Sequence, residues 1–268
     1  MKELVGLQQA FNARQYQYHA IVSGQGPLLL LIHGSLCDWR YWRWQIPELS
    51  EHYTVIAPSL RNYWPNAPSN LGFSARTHAQ DLLSLLQQYY PNQCVHILGH
   101  SRGAHVALEL YRLYTTQVLS LVLADPGLPT GSQYSSQPLL DQVVQRLQTN
   151  SQEEALTLFI DTVNGSGTWR QMARWFKQMV ADNANTLPLQ QQEGRAEVDL
   201  HFLREADVPL YFITGEQSPT RYHYCMQLIA QQQTPLNKIV IEHAAHGMNL
   251  ANPKAFNQAV LDCLKEKG

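Results

Sequence analysis

The sequence is poor in charge and in cysteine. Lysine and arginine contribute 19 residues and aspartate and glutamate 21, so the formal net charge is −2. A chain so close to neutrality has no overall field for nucleic acid or anionic lipid, and we expect neither as a partner. Its four cysteines lie far apart in sequence. They therefore form no CxxC pair for zinc or redox exchange, and they are too few for a disulfide scaffold.

Long apolar runs and cofactor motifs are also missing. No stretch approaches the roughly 20 apolar residues of a membrane span, and the N-terminal residues contain no apolar run of signal-peptide length. The sequence has no HExxH, no GxGxxG after a predicted strand and no GxxxxGKS/T. We therefore expect a soluble, cytoplasmic protein with no metal and no organic cofactor, and the sequence leaves its oligomeric state open.

What the sequence does contain is an alternation of short apolar runs with longer helical patterns. The apolar runs span 28–32, 53–57, 94–98, 119–124, 210–214 and 238–242. Unbroken runs of this length are typical of strands buried on both faces. Together with the amphipathic segments between them, they predict an α/β fold with a doubly wound, mostly parallel sheet. A weaker alternation over 6–22 predicts antiparallel strands at one edge.

The interval 128–206 interrupts this alternation, because it shows helical spacing and no clear strand. Amphipathic helices of this kind could enlarge the core or roof a pocket, and one helix can do both. We predict a helical lid inserted after the sixth strand. The predicted division within one overall domain is a core of 1–127 and 207–268 and a lid of 128–206.

The strongest chemical signal is the pentapeptide Gly99-His100-Ser101-Arg102-Gly103. It follows a predicted strand directly and opens a predicted helix, which is the context of a G-x-S-x-G nucleophile turn. Glycines on both sides leave room for a tight turn with strained backbone, and the helix start supplies N–H groups for an oxyanion. An ordinary tight turn can have the same five residues, but its position between strand and helix favours Ser101 as a nucleophile.

A serine hydroxyl needs a neighbouring base before it can attack a carbonyl carbon. His246 is the candidate, because it follows the last predicted strand at the edge where such sheets form their crevice. His243 lies closer to the strand and is interpreted as structural. For the oxyanion hole we predict the N–H of Arg102 and an N–H from the loop after the first long strand, with Ser35 favoured and Leu36 as the alternative.

These motifs occur in a characteristic order: HG after the first long strand, GHSRG, LVLADPG, AHGM and NPKAF. Together they resemble the α/β-hydrolase fold superfamily, close to its lid-bearing serine esterases and carbon–carbon bond hydrolases. The resemblance covers roughly 25–127 and 207–265. It implies an acyl-enzyme reaction on a small-molecule ester or other acyl substrate, and it does not identify that substrate.

The acid that orients the histidine is where the sequence departs from the family pattern. Members of the superfamily usually have Asp three residues after the glycine that ends the penultimate strand, and here that place is occupied by Ser218. Two carboxylates remain as candidates. Asp125, after the 119–124 run, is favoured although Asp often begins a turn of this kind, and Glu216 is the alternative. A serine–histidine pair without an acid is the third interpretation.

The expected reaction is serine-dependent hydrolysis of a carboxylic ester or related acyl compound. Carbon–carbon bond hydrolysis and acyl transfer would use the same groups, and a non-catalytic small-ligand binding protein of the same fold is the alternative from another class. An aspartate nucleophile, which the epoxide hydrolase and dehalogenase branches need, is absent because Ser101 stands in its place. The residues expected to line the substrate pocket are Leu36, Tyr63, Trp64, Trp169, Trp175 and Phe176.

Overall fold

The computed structural model describes residues 7–129, 135–193, 198–232 and 237–265. Within these ranges eight strands form one sheet: β1 (Leu7–Ala13), β2 (Tyr16–Ser23), β3 (Leu28–Ile32), β4 (Thr54–Pro58), β5 (Val95–His100), β6 (Val118–Ala124), β7 (Leu210–Gly215) and β8 (Asn237–Ile241). Their order across the sheet is β1-β2-β4-β3-β5-β6-β7-β8. The pairs β1–β2 and β2–β4 are antiparallel and the other neighbours are parallel. This arrangement confirms the predicted mostly parallel sheet and its antiparallel edge.

Helices cover both faces of the sheet. They are α1 (Ile46–Leu49), α2 (Ala75–Tyr89), α3 (Arg102–Leu113), α9 (Thr220–Ala230), α10 (Met248–Ala251) and α11 (Pro253–Lys265). The central strand β3 shows why: Leu28 and Leu30 pack with α2, α3 and α9, whereas Leu29 and Leu31 pack with α1 and α11. Because side chains alternate between faces, a strand covered on both sides is apolar at every position.

A helical segment is inserted between β6 and β7. It consists of α4 (Gln137–Gln148), α5 (Gln152–Asn164), α6 (Thr168–Gln171), α7 (Arg174–Asp182) and α8 (Thr186–Gln192), followed by a 3-10 turn at His201–Glu205. We call α4–α8 the inserted helices. Their apolar sides, including those of Val143, Phe159 and Met179, join the core cluster on the α11 side of the sheet. Within the described ranges, no helix of the chain has the length and apolarity to cross a membrane.

Polar contacts hold one end of the inserted helices against the strand-end loops and α3. The contacts are Asp182–Arg40 at 2.9 Å, Asn183–Asp38 at 2.7 Å, Gln190–Ser35 at 2.8 Å and Glu193–Arg102 at 2.7 Å. Asp38 and Asn183 are fully buried. Separating the two would cost a buried hydrogen bond to a carboxylate, so the α7–α8 end is firmly attached.

Candidate active site

Ser101 occupies the turn between β5 and α3, and its backbone is strained. Its φ is 54° and its ψ is −124°, a region that side-chain-bearing residues rarely adopt. The turn is also tightly packed, because a Cβ on Gly103 would lie 2.2 Å from the Ile32 carbonyl oxygen. A Cβ on Gly99 would lie 2.5 Å from the Gly103 carbonyl oxygen. Both glycines of the motif are therefore required by close backbone approach.

The end of β6 holds this turn in place and presents a second strained residue beside it. The Ser101 N–H donates to the Ala124 carbonyl at 2.9 Å, and the Gly127 N–H donates to the Ser101 carbonyl at 3.0 Å. Asp125 has a φ of 41°. Its own N–H donates to the Ile213 carbonyl at 3.0 Å, across to β7. Two adjacent loops with unfavourable backbone are thus fixed by hydrogen bonds, as is common at functional sites.

The Asp125 carboxylate is fully buried and accepts three side-chain hydrogen bonds. His246 Nδ1–H donates to its Oδ2 at 3.1 Å, and Thr214 Oγ1–H donates to its Oδ1 at 2.7 Å. The third donor is the hydroxyl of Ser218, at 2.5 Å from Oδ2. The residue at the family's usual acid position therefore serves as a hydrogen-bond donor to the carboxylate that β6 supplies.

Burial shifts the proton affinities of this pair in opposite directions. Burial raises the pKa of Asp125 to about 6, although the hydroxyls of Ser218 and Thr214 favour its ionised form and act against the shift. Burial lowers the pKa of His246, and the positive charge of Arg221 acts in the same direction. At neutral pH the carboxylate is therefore mostly ionised and the imidazole is neutral. An imidazole with its proton on Nδ1 has Nε2 free to accept another.

Glu216, the alternative acid, lies away from this pair. Its side chain is exposed and its Oε2 accepts the backbone N–H of His243 at 2.9 Å. His243 is itself exposed, at a turn with a φ of 55°. The structure thus brings Asp125, and not Glu216, to His246.

Tyr222 is a site residue that the sequence reasoning missed. Its ring stacks on the imidazole of His246, with centroids 3.8 Å apart and planes 7° apart. His100 lies 4.5 Å from the same imidazole, and its Nε2–H donates to the His246 carbonyl at 2.8 Å. Burial raises the pKa of the Tyr222 hydroxyl, which remains protonated and interacts with the Ser101 side chain. A tyrosine four places after Ser218 was the available signal, but its ring contact is visible only in the fold.

The Ser101 hydroxyl is not hydrogen-bonded to His246 among the described residues, although both line the same cavity. Hydrogen bonds of this kind are often long before substrate binds and tighten when it does.

The predicted oxyanion donors lie next to Ser101. Arg102 is the first residue of α3, where backbone N–H groups have no partner within the helix. The loop after β3 also reaches the nucleophile turn, since a Cβ on Gly34 would lie 2.9 Å from that of Ser101. Ser35 lies on the cavity wall, and its hydroxyl donates to Gln190. The side chain of Leu36, the alternative, is fully buried.

Ser101, His246 and Tyr222 line a cavity of about 410 Å³ beneath the inserted helices. Much of its wall is apolar, contributed by Leu139, Leu140, Phe159, Ile160, Val163, Met172, Phe176 and Leu250. Phe176 is the one predicted pocket aromatic among them. Within the described residues, no group of three or more His, Cys, Asp or Glu side chains is arranged to hold a metal ion.

Five predicted pocket residues do not line the cavity, and each is corrected here. Leu36 and Tyr63 are fully buried in the core, on opposite faces of the sheet. Trp64 is 37% exposed, and the Arg40 guanidinium lies 3.8 Å from its ring centroid.

The other two corrected residues belong to the inserted helices. Trp169 packs among those helices, and its indole N–H donates to Glu153 at 2.6 Å. Trp175 lies against the guanidinium of Arg43, 4.5 Å from its ring centroid. Neither indole lines the cavity, so aromatic character alone did not identify the wall.

A sequence profile of the Alpha/beta hydrolase family matches residues 29–259, and the chain belongs to this family. It is 38% identical over 92 residues to a soluble epoxide hydrolase of Corynebacterium sp. (strain C12), which is 34% of this chain and 32% of that protein. It is 31% identical over 112 residues to a fluoroacetate dehalogenase of Burkholderia sp, and the matched region is 40% of this chain and 36% of that protein. The matches thus span about a third of these relatives, at 32% and 36% of their lengths.

Solved structures extend the likeness to nearly the whole chain. An esterase from Exiguobacterium antarcticum superposes with a TM-score of 0.85 and 19% identity, over 97% of this chain and 100% of that one. At this identity the superposition shows a shared fold. The profile match and the superposition together establish the α/β-hydrolase fold that the motifs resembled.

Proposed function

We propose that this protein is a serine hydrolase that cleaves a carboxylic ester or related acyl compound. The observation that carries the proposal is the hydrogen bond of 3.1 Å between His246 and the buried Asp125, on the cavity that also exposes Ser101. In the proposed reaction Ser101 Oγ attacks the carbonyl carbon and His246 Nε2 takes its proton. Asp125 keeps the other imidazole nitrogen protonated and stabilises the positive charge that develops.

The proposed oxyanion hole consists of the N–H groups of Ser35 and Arg102, one from each loop beside the nucleophile. Collapse of the tetrahedral intermediate expels the alcohol, which takes the proton from His246. Water then attacks the acyl-enzyme with His246 as base, and the acid leaves as Ser101 regains its proton. Two aligned donors of this type typically contribute several kcal/mol to such a reaction.

The chemistry of Ser101 argues against the activities that the two curated relatives are named for. A carboxylate that attacks the saturated carbon of an epoxide or alkyl halide forms an ester, and water can cleave that ester at its carbonyl carbon. A serine oxygen attacking the same carbon would form an ether, which has no carbonyl for water to attack. Ser101 is therefore suited to acyl substrates, where its product is an ester.

We further propose that the inserted helices act as a lid, with 128–206 as the lid and the rest of the chain as the core. Phe159, Ile160 and Phe176 belong to the part of the cavity wall that these helices provide. The buried contact of Asn183 with Asp38 fixes the α7–α8 end.

A fluorophosphonate probe tests the nucleophile, and a series of p-nitrophenyl esters of increasing acyl length tests the reaction. We expect labelling and turnover in the native protein, and loss of both in Ser101→Ala with unchanged melting temperature. The rate should fall on the order of 10³-fold or more because the covalent route is removed. Labelling without ester turnover would favour carbon–carbon bond hydrolysis or acyl transfer. Neither labelling nor turnover at any pH would favour a small-ligand binding protein.

A further inference from the structure

Charged side chains line the cavity wall beside α2, α3 and α9. Among the described lining residues they are the arginines Arg76, Arg102, Arg112 and Arg221 and the carboxylates Glu109, Glu193 and Asp199. Three of the arginines are paired: Arg76 with Glu109 at 3.1 Å, Arg102 with Glu193 at 2.7 Å and Arg112 with Asp199 at 3.6 Å. The described wall thus has four cationic and three anionic groups, and its unbalanced charge is on Arg221.

Arg221 has no ion pair and no hydrogen bond within the described part of the chain. Its guanidinium carbon lies 5.8 Å from the centroid of the Tyr222 ring. The cavity histidines His100 and His105 are neutral and add no positive charge, since burial lowers the pKa of His100 to about 3 and of His105 to about 4. A half-buried guanidinium without a carboxylate is unusual in a cavity whose other arginines all have one.

The position of Arg221 relates it to the reacting groups. It is the second residue of α9 and precedes Tyr222, whose ring stacks on His246. Its charge is close enough to lower the pKa of His246. A negative group bound to Arg221 would therefore lie on the same cavity as Ser101, with the apolar wall of the inserted helices available for the rest of the molecule.

We propose that Arg221 binds a carboxylate on the substrate, which makes the preferred substrate an ester that also carries a free carboxylate. This inference rests on the proposed ester hydrolysis. A guanidinium offers a planar pair of N–H donors that matches the two oxygens of a carboxylate. One unbalanced positive charge also matches a monoanion, whereas a phosphate dianion would leave one negative charge uncompensated.

The experiment compares two esters that differ only in this group. In p-nitrophenyl hydrogen glutarate a carboxylate replaces the terminal methyl of p-nitrophenyl pentanoate, and the adipate and hexanoate pair extends the reach by one carbon. For Arg221→Gln we expect kcat/KM for the anionic ester, divided by that for the neutral ester, to fall about 10- to 100-fold. The ratio is the correct measure because loss of the charge also changes His246, and that change affects both esters equally. Arg221→Lys should restore part of the preference.

Arg43→Gln is the matched control, since Arg43 is stacked between Trp44 and Trp175. It should leave the ratio unchanged. If Arg221→Gln shows the wild-type ratio for both ester pairs, the proposal is overturned while ester hydrolysis stands. If neither ester is hydrolysed, the proposed function fails, and the anion site is tested alone by melting temperature. If glutarate raises the melting temperature of the native protein and Arg221→Gln abolishes that rise, the anion site is supported. If glutarate does not raise the melting temperature, the anion site is overturned.

Discussion

Replacing Asp125 by Asn should slow the reaction strongly and should also change how stability depends on pH. Thr214 donates to Oδ1 of Asp125, whereas Ser218 and His246 both contact Oδ2. With the Asn oxygen kept on the Thr214 hydroxyl, its NH₂ group would face His246 Nδ1. The imidazole would then carry its proton on Nε2, where it could no longer accept one from Ser101. By analogy with other triads we expect kcat to fall about 10²–10⁴-fold with little change in substrate binding.

The stability effect follows from the buried charge. Burial raises the pKa of Asp125 from 3.8 to about 6, so the folded protein holds this proton more tightly than the unfolded chain does. Wild-type stability therefore decreases as pH rises between these two values, and the group costs up to about 3 kcal/mol above pH 6. Asp125→Asn lacks this decrease. The free energy of unfolding of the variant relative to wild type should therefore increase from pH 4 to pH 7.5.

Urea unfolding at several pH values measures this difference, and p-nitrophenyl ester turnover measures the rate. Glu216→Gln is the matched control and should cost less than about tenfold in rate, because Glu216 only caps an exposed turn. The reverse result, with Glu216→Gln impaired and Asp125→Asn near wild type, would refute the assignment. If both variants stay near wild type, the double variant separates two interchangeable carboxylates from a serine–histidine pair that needs neither.

Five further substitutions test the surroundings of this pair and the cavity wall. Ser218→Ala removes a donor to the ionised Asp125, so its pKa should rise above about 6 and the acidic limb of the kcat/KM profile should move to higher pH. Tyr222→Phe keeps the ring on His246 and should cost less than about tenfold. Tyr222→Leu exposes the His246 imidazole to water, so the pKa of His246 should rise. The pH profile of Tyr222→Leu should therefore shift to higher pH, whereas that of Tyr222→Phe should not. Phe176→Ala should change the acyl-length preference across the ester series. Trp175→Ala should lower the melting temperature and leave that preference intact. Equal shifts in preference for the two variants would contradict the cavity wall described above.

Local sequence determined the architecture of the core. The unbroken apolar runs at β3 and β5 require cover on both faces, and that requirement follows from side-chain alternation alone. The glycines at 99 and 103 mark a turn in which no side chain fits, so the position of Ser101 could be predicted without knowing any distant contact. His246 followed from the same logic, because parallel strands bring their carboxyl ends to one edge.

The acid and the pocket wall were decided by tertiary contacts. Asp125 and Glu216 both follow strands that end near His246, and only the folded chain separates them: the buried Asp125 carboxylate lies 3.1 Å from His246 Nδ1, whereas Glu216 is exposed. Trp175 and Phe176 are adjacent on α7, about 100° apart around the helix axis. Which one faces the cavity depends on how α7 docks on the loop containing Arg43, and sequence periodicity carries no information about that rotation. Tyr222 remained unnoticed for the same reason, since its stacking on His246 joins two segments that meet only in the folded chain.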